Sequence, residues 1–170
     1  MTKDTSLFWK QALRSGLIAG GVAILVSLVG LVESFGETDI ITGLVSLGEL
    51  ILLAPVFLFS YTFIRGAAGK SPRALAGMTA LLGLVAGLLL TLLVIVGSTT
   101  NIRVMFINAS PALFDMLTRG VPFPLGALVP PLQCIIAAWI SLGLTLIPER
   151  FRKPVNLGIL VVIVLGTLRD

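Results

Sequence analysis

Residues 74–100, ALAGMTALLGLVAGLLLTLLVIVGSTT, contain no charged side chain. A helix crosses the hydrocarbon core of a membrane with roughly 20 consecutive apolar residues. A water-soluble domain carries about 25% charged residues, whereas this chain of 170 residues carries 12% and is 56% hydrophobic. Its mean hydropathy is +1.08. The sequence therefore predicts an integral membrane protein and excludes an ordinary soluble globule.

Four further apolar runs flank this segment and are separated from it by charged or proline-rich stretches. Two precede it, at residues 16–32 and 40–64, and two follow it, at residues 130–147 and 155–168. The last run would reach about 21 Å as a helix, which is short of the ~30 Å hydrocarbon core. We therefore expect an all-α, polytopic bundle with four full spans and a short fifth segment, forming one transmembrane domain over residues 1–170.

Lysine and arginine residues are distributed unevenly over the predicted loops. Nine of the twelve lie before the first span, between the second and third, or after the fourth: Lys3, Lys10, Arg14, Arg65, Lys70, Arg73, Arg150, Arg152 and Lys153. Cytoplasmic loops carry such an excess, so we predict a cytoplasmic N-terminus. Because these cations lie beside apolar helices without an aromatic-interleaved patch, the net charge of +4 indicates membrane topology and not nucleic-acid binding.

Small residues recur at helical spacing in two of the predicted spans. They are separated by three or four residues in each case: Ala76, Ala80, Gly83 and Gly87 in the third span, and Gly16 and Gly20 in the first. Small side chains let two helix backbones approach closely in a membrane. We interpret both sets as helix-packing surfaces. The sequence leaves open whether the partner helix belongs to this chain or to another.

Glu49 is the one ionisable residue inside the second apolar run. In a helix that begins at residue 40 it would lie about 13 Å along the axis, near the bilayer midplane. Thr42 and Ser46 precede it at spacings that place all three side chains on one helix face. These three residues form a candidate intramembrane polar site.

The role of that site stays open at the level of sequence. No Lys, Arg or His lies inside any other predicted span, so Glu49 is expected to lack a charged partner and to favour its neutral form. One interpretation is a proton-linked or substrate-linked acid that faces a cavity. The other is a structural glutamic acid that joins two helices through a hydrogen bond to Gln133, Thr91 or Ser141.

The loop between the third and fourth spans contains a short predicted helix at residues 111–119. Ser110 can cap its start, Pro111 fits its first turn, and Gly120 follows as a stop signal. We expect this helix to lie along the outer membrane interface or to tuck over the bundle as an anchor. A lid over a solute path is the alternative.

Catalytic motifs are missing from the sequence. Without histidine and with Cys134 as the single cysteine, the chain cannot form a Ser–His or Cys–His pair, a histidine-ligated haem or a cysteine-ligated iron–sulfur cluster. Glu33, Glu37 and Asp39 could together hold a hard cation, but we expect them to be solvated in a loop. We assign no catalytic, cofactor-binding or metal-binding residue and predict that the protein is not an enzyme.

Three stretches, at residues 31–35, 40–48 and 101–113, resemble the N-terminal membrane extension that precedes the permease core in some bacterial branched-chain amino-acid ABC transporters. The resemblance implies the bacterial cytoplasmic membrane, with an ATPase and an outside solute-binding protein as partners through a permease core that this chain does not contain. It carries over no substrate residue. The inner loops at residues 65–73 and 148–154 are too short for the coupling loop that engages such an ATPase.

We therefore expect a permease component, or a permease-fused domain, of a small-solute importer, with branched-chain amino acids as the solute class that the resemblance implies. The alternative is a non-catalytic accessory subunit that holds a larger membrane complex together by helix packing. A stand-alone proton-coupled carrier would rest on Glu49 alone, and the inverted repeat typical of such carriers is not seen in the sequence. The expected partners in each case are the lipid bilayer and other membrane subunits.

Overall fold

Four long helices dominate the fold. The computed structural model describes residues 3–41, 45–67, 69–100, 104, 106 and 109–147, with side chains from residue 6 onward. The long helices are α1 (Lys3–Leu28), α3 (Leu47–Gly66), α4 (Pro72–Thr99) and α6 (Val129–Leu146). Each is long and apolar enough to cross a membrane. The predicted all-α bundle of an integral membrane protein is therefore confirmed, whereas the predicted segment at residues 155–168 lies outside the described residues.

Short elements gather at one end of the bundle, which we call the capped end. They are α2 (Leu31–Ser34), the antiparallel strands β1 (Asp39–Ile41) and β2 (Val45–Ser46), α5 (Pro111–Thr118) and a 3-10 turn (Leu125–Leu128). The opposite end, where α1 begins, α3 passes into α4 and α6 ends, is called the basic end because Lys10, Arg14, Arg65, Lys70 and Arg73 lie in the elements that meet there. The side of the membrane that each end faces stays a prediction.

The four long helices form a square in cross-section. Helices α3 and α4 each contact both α1 and α6, which places α1 and α6 diagonally opposite each other. Because successive helices run in opposite directions, α1 is parallel to α4 and α3 is parallel to α6. Large side chains with at most 1% exposure fill the centre of the square: Leu52, Val56, Met78, Leu82 and Leu90.

The long helices differ in length. Helix α4 has 28 residues, whereas α3 has 20 and α6 has 18. At 1.5 Å per residue these helices are about 42, 30 and 27 Å long. Helix α5 packs against the capped end of α4, since a Cβ added to Gly97 would overlap the Phe114 ring.

The first helix is longer than its apolar run. It begins at Lys3 and ends at Leu28, whereas the sequence predicted residues 16–32. Lys10 and Arg14 are exposed while Ala12 is fully buried, so the charges lie on the outer face of a continuous helix and do not interrupt it. The chain turns after Leu28 through Gly30, whose φ of 91° is in the left-handed region that glycine tolerates.

The second membrane helix begins later than predicted. Helix α3 starts at Leu47 and not at residue 40, because residues 39–41 and 45–46 pair as the two short strands. Helices α4 and α6 begin and end within about two residues of the predicted runs at residues 74–100 and 130–147, a difference that helix assignment itself produces.

Small residues form two close helix contacts within the chain. A Cβ added to Gly16 would lie 2.7 Å from the Leu82 carbonyl oxygen, so α1 packs tightly on α4. On the other side of α4, a Cβ added to Gly83 would lie 2.7 Å from the Cys134 carbonyl oxygen of α6. The predicted packing residues therefore divide between two intramolecular contacts: Gly16 and Gly20 face α4, and Gly83 and Gly87 face α6.

Ala76 and Ala80 complete the small-residue surface of α4 toward the basic end. The carbonyl oxygen of Ala76 accepts a hydrogen bond of 3.2 Å from the indole N–H of Trp139 on α6. Ala80 is half-buried one turn further along. The partner that the sequence left open for this surface is thus α6 of the same chain.

Candidate functional site

Glu49 lies in the first turn of α3 at the capped end, and its residue exposure is 9%. The predicted position near the bilayer midplane is therefore wrong. The error arises because the strands β1 and β2 occupy residues that the apolar run had assigned to the first turns of the helix. Glu49 consequently belongs to the end of the bundle and not to its interior.

The first backbone N–H groups of α3 find hydrogen-bond acceptors elsewhere in the chain. The N–H of Leu47 donates to the Thr38 carbonyl oxygen at 2.8 Å, and the N–H of Gly48 donates to the Phe35 carbonyl oxygen at 2.8 Å. The first N–H groups of a helix lack intrahelical acceptors. Here the segment between α2 and β1 supplies them, so the start of α3 has its first amides satisfied without water.

Ser46 is the N-cap of α3. Its hydroxyl oxygen accepts a hydrogen bond of 3.1 Å from the Glu49 backbone N–H, which is the usual function of serine at this position. The structure therefore brings Ser46 and Glu49 together as predicted neighbours, but through a helix cap and not on one face of a longer helix. Thr42, the third residue of the predicted site, lies outside the described residues.

Arg119 binds the Glu49 carboxylate with two hydrogen bonds. Its Nε donates to Oε1 at 2.9 Å, and its Nη2 donates to Oε2 at 3.0 Å. Such bidentate pairs are among the stronger hydrogen-bonded contacts in proteins. The Glu49 side chain is 12% exposed and that of Arg119 is 47% exposed, so the pair lies where the buried end of α3 meets solvent. The prediction that Glu49 lacks a charged partner is wrong.

The three uncharged partners predicted for Glu49 are also wrong. The Thr91 hydroxyl donates to the Ala127 carbonyl oxygen at 2.8 Å, which ties α4 to the 3-10 turn. Gln133 Oε1 and Ser141 Oγ are buried and have no hydrogen-bond partner in the parts of the chain that the structure covers. Because α3 begins at residue 47, Glu49 lies at the end of the bundle and pairs with Arg119 instead.

Arg119 is positioned by the end of α5. It adopts φ 53° and ψ 39° as the C-cap, and the next residue, Gly120, also has a positive φ of 68°. The left-handed conformation costs a non-glycine residue about 1–2 kcal/mol. The predicted start of this helix is confirmed, because the Ser110 hydroxyl accepts from the Leu113 N–H at 3.2 Å and Pro111 occupies the first turn. The helix itself ends one residue earlier than predicted.

Helix α5 folds over the capped end of the bundle. Its own residues Leu113 and Leu117 are fully buried. The helix contacts α2, α4 and α6. Met116 packs closely on two glycines, since a Cβ added to Gly36 would lie 2.6 Å from its sulfur. Of the two predicted arrangements for an anchoring helix, the structure has the one that tucks over the bundle. Arg119 then connects this cover to α3.

The acidic loop residues lie beside this cover. Glu33 is in α2, Asp39 begins β1, and Glu37 lies between them. Within the described ranges, no group of three or more His, Cys, Asp or Glu residues is arranged to hold a metal ion. Among the described residues, the capped end thus has several carboxylates, and the guanidinium of Arg119 binds one of them.

Polar groups in the core are few and uncharged. Ser60 and Ser141 are fully buried, and neither hydroxyl has a partner among the side chains and backbone that the structure describes. Thr79 is also fully buried, and its hydroxyl donates to the Leu75 carbonyl oxygen at 2.8 Å. Cys134 is fully buried against α4, as expected for a small apolar filler. These groups contain neither a charged acid nor a base.

Comparison of the chain with known protein families, curated proteins and solved structures finds no match.

The sequence contains a local signal for the start of α3, although this signal lies within a continuous apolar run. Ser46 and Glu49 have the S-x-x-E spacing of a capping box, which marks a helix N-terminus. The β-branched residues Ile40, Ile41 and Val45 just before it are typical of short strands. Arg119, by contrast, had no local signal as a partner, because it lies 70 residues from Glu49 in the chain.

Proposed function

We propose that the chain is the membrane-embedded permease component, or a permease-fused domain, of a small-solute importer, and that α5 is a movable cover at its capped end. The observation that supports this function is the bidentate ion pair between Glu49 and Arg119. It fastens the cover to a membrane helix at a point where the Arg119 side chain remains half exposed. A solute or a partner protein can therefore reach the ion pair.

The free energy that holds the cover closed determines how much a ligand must supply to open it. Burial of one leucine side chain stabilises by about 1.5–3 kcal/mol, and Leu113 and Leu117 are the buried leucines of α5. An exposed ion pair adds only about 0–1 kcal/mol, and the partial burial of Glu49 places this pair at or above that range. A ligand shifts an equilibrium between two conformations when its affinity for them differs by a similar amount. Phe114 and Met116 of α5 add packing against α4 and the start of α3. A ligand that opens the cover must therefore bind the open form more tightly than the closed form by several kcal/mol.

The solute class comes from the resemblance at residues 31–35, 40–48 and 101–113. It implies branched-chain amino acids, together with an ATPase and a solute-binding protein as partners. Helix α3 ends at Gly66 and α4 begins at Pro72, so the connection between them is too short to form a coupling loop for an ATPase. The contact with the ATPase would then lie in another polypeptide or in another part of the permease.

The experiment combines purification with uptake. The tagged chain is isolated from its native membrane in mild detergent, and uptake of radiolabelled leucine, isoleucine and valine is compared between cells with and without it. We expect an ATPase and a solute-binding protein to copurify, and uptake of at least one of the three amino acids to fall in the deficient cells. Unchanged uptake of all three, with neither partner copurifying, would contradict the proposal.

A non-catalytic accessory subunit is the second candidate, and the close helix contacts favour it. Gly16, Gly83 and Gly87 leave no room for a Cβ between α4 and its two neighbours, which is typical of a rigid packing unit. Copurification with redox or light-harvesting subunits would support this function. The stand-alone carrier loses its basis, because Glu49 is at the capped end and is paired.

A further inference from the structure

We propose that the lipid-facing side of α1 at the basic end binds an anionic phospholipid. Lys10 and Arg14 contact the phosphate of the headgroup, and Leu13 and Leu17 contact the upper part of an acyl chain. This site is separate from the cover at the capped end and does not depend on the transport proposal.

The four side chains share the outer face of α1. Ala12, Gly16 and Ala19 are buried toward the bundle, whereas Lys10 and Arg14 are exposed. Leu13 is 44% exposed and Leu17 is 48% exposed. Residues three and four apart lie on the same side of a helix, and Leu17 lies about 10 Å along the axis from Lys10. The cations thus lie nearer the end of the helix, and the leucines lie deeper in the membrane. A phospholipid has the same order, with its phosphate at the surface and its acyl chain below.

Aromatic contacts place this part of α1 at the membrane interface. The Lys70 ammonium lies 4.4 Å from the centre of the Phe8 ring. Trp9 packs beside α4, since a Cβ added to Gly77 would lie 3.5 Å from its ring. Tryptophan and other amphipathic aromatic residues are enriched at the level of the headgroups. Lys10, the next residue in the chain, therefore lies at the depth of lipid phosphates.

The charge around the site favours an anion. The carboxylates whose side chains the structure describes lie at the capped end: Glu33, Glu37, Asp39, Glu49 and Asp115. Asp4 is in the first turn of α1 at the basic end, with its side chain outside the described part of the structure. Among side chains that the structure covers, none of them pairs with Lys10 or Arg14. Basic residues next to a membrane helix attract anionic lipids. A phospholipid fits better than free phosphate because only the lipid also contacts Leu13 and Leu17.

The test uses the fluorescence of Trp9. The chain has two tryptophans, so a Trp139→Phe background leaves Trp9 as the reporter beside the site. The protein is reconstituted in phosphatidylcholine vesicles that contain phosphatidylglycerol or phosphatidylcholine brominated on the upper acyl chain, at equal mole fraction. We expect phosphatidylglycerol to quench Trp9 more strongly, and the preference to fall by about fivefold for each cation removed by Lys10→Gln or Arg14→Gln.

Two controls separate a site from general surface charge. Arg65→Gln/Arg73→Gln removes the same charge from the same end through two exposed residues of α3 and α4, and should keep most of the preference. Lys10→Arg/Arg14→Lys keeps the charge and should keep the preference even if Lys10→Gln/Arg14→Gln fails to insert. Equal quenching by the two lipids in the background protein would overturn the proposal, as would an equal loss in the Arg65→Gln/Arg73→Gln control.

Discussion

The two ends of the bundle treat charge in opposite ways. At the capped end, the mostly buried Glu49 carboxylate receives two hydrogen bonds from Arg119, which lies on a different element. At the basic end, Lys10 and Arg14 are exposed, and Lys70 lies over the Phe8 ring. Charge at the first end joins parts of the chain to each other. Charge at the second end is directed toward the surroundings, so its removal should affect lipid binding more than folding.

The largest effect is expected from the cover at the capped end. Leu117→Ala removes a fully buried side chain and should lower the free energy of unfolding by about 2–5 kcal/mol, since core leucine truncations cost this much. Unfolding can be followed in detergent by circular dichroism. Leu128→Ala is the control, because Leu128 is 67% exposed at the same end. Equal losses in both variants would show that α5 is not packed as described.

Removal of Arg119 should have the next largest effect. Arg119→Gln leaves the Glu49 carboxylate mostly buried without its bidentate partner, and should cost about 1–3 kcal/mol. The double variant Glu49→Gln/Arg119→Gln should recover part of this loss, because no unpaired charge remains. Arg73→Gln, an exposed cation at the basic end, serves as the control in the same unfolding measurement. A double variant less stable than Arg119→Gln would contradict the pairing.

The N-caps of α3 and α4 also differ between the two ends of the bundle. Ser46→Ala should cost about 1 kcal/mol, the typical value for an N-cap, because the start of α3 is closed off from water. Ser71 caps α4 at the basic end through a longer, exposed hydrogen bond of 3.3 Å to the Ala74 N–H, so Ser71→Ala should cost less. Hydrogen exchange at the Glu49 and Ala74 amides measures the two changes. A larger effect at Ala74 would reverse the comparison.

The smallest effects are expected at the basic end. Lys70→Gln removes a partly exposed cation–aromatic contact worth about 0.5–1 kcal/mol, whereas Arg14→Gln should change the free energy of unfolding by less than can be measured. Thermal unfolding of both variants in neutral detergent checks this order. A destabilisation by Arg14→Gln as large as that of Arg119→Gln would show that the outer face of α1 is held by contacts within the protein.

Most of the fold follows from local sequence properties. The long apolar runs predict the four helices because a spanning segment must be apolar over its whole length. Ser110 and Pro111 predict the start of α5 because helix caps act within a few residues. Both signals depend on side chains that are close together in the chain.

The rest of the site depends on information that hydropathy does not contain. Ile40, Ile41 and Val45 are as apolar in a strand as in a helix, so an apolar run does not show where α3 begins. Arg119, the partner of Glu49, lies 70 residues away in the chain and reaches it only because α5 folds over the end of the bundle. The start of α1 is predicted too late for a related reason: Arg14 ends the apolar run on its N-terminal side, although an exposed charge fits the outer face of a helix.

The unequal lengths of α3, α4 and α6 have a consequence for the surrounding bilayer. Helix α4 is about 12 Å longer than α3, and most of this helix is apolar. Lipids adjust to such mismatch by stretching, or the protein tilts, at a small cost for each ångström. The shell of lipid around this bundle is therefore uneven in thickness, and neighbouring membrane proteins that share the thicker side relieve that deformation together.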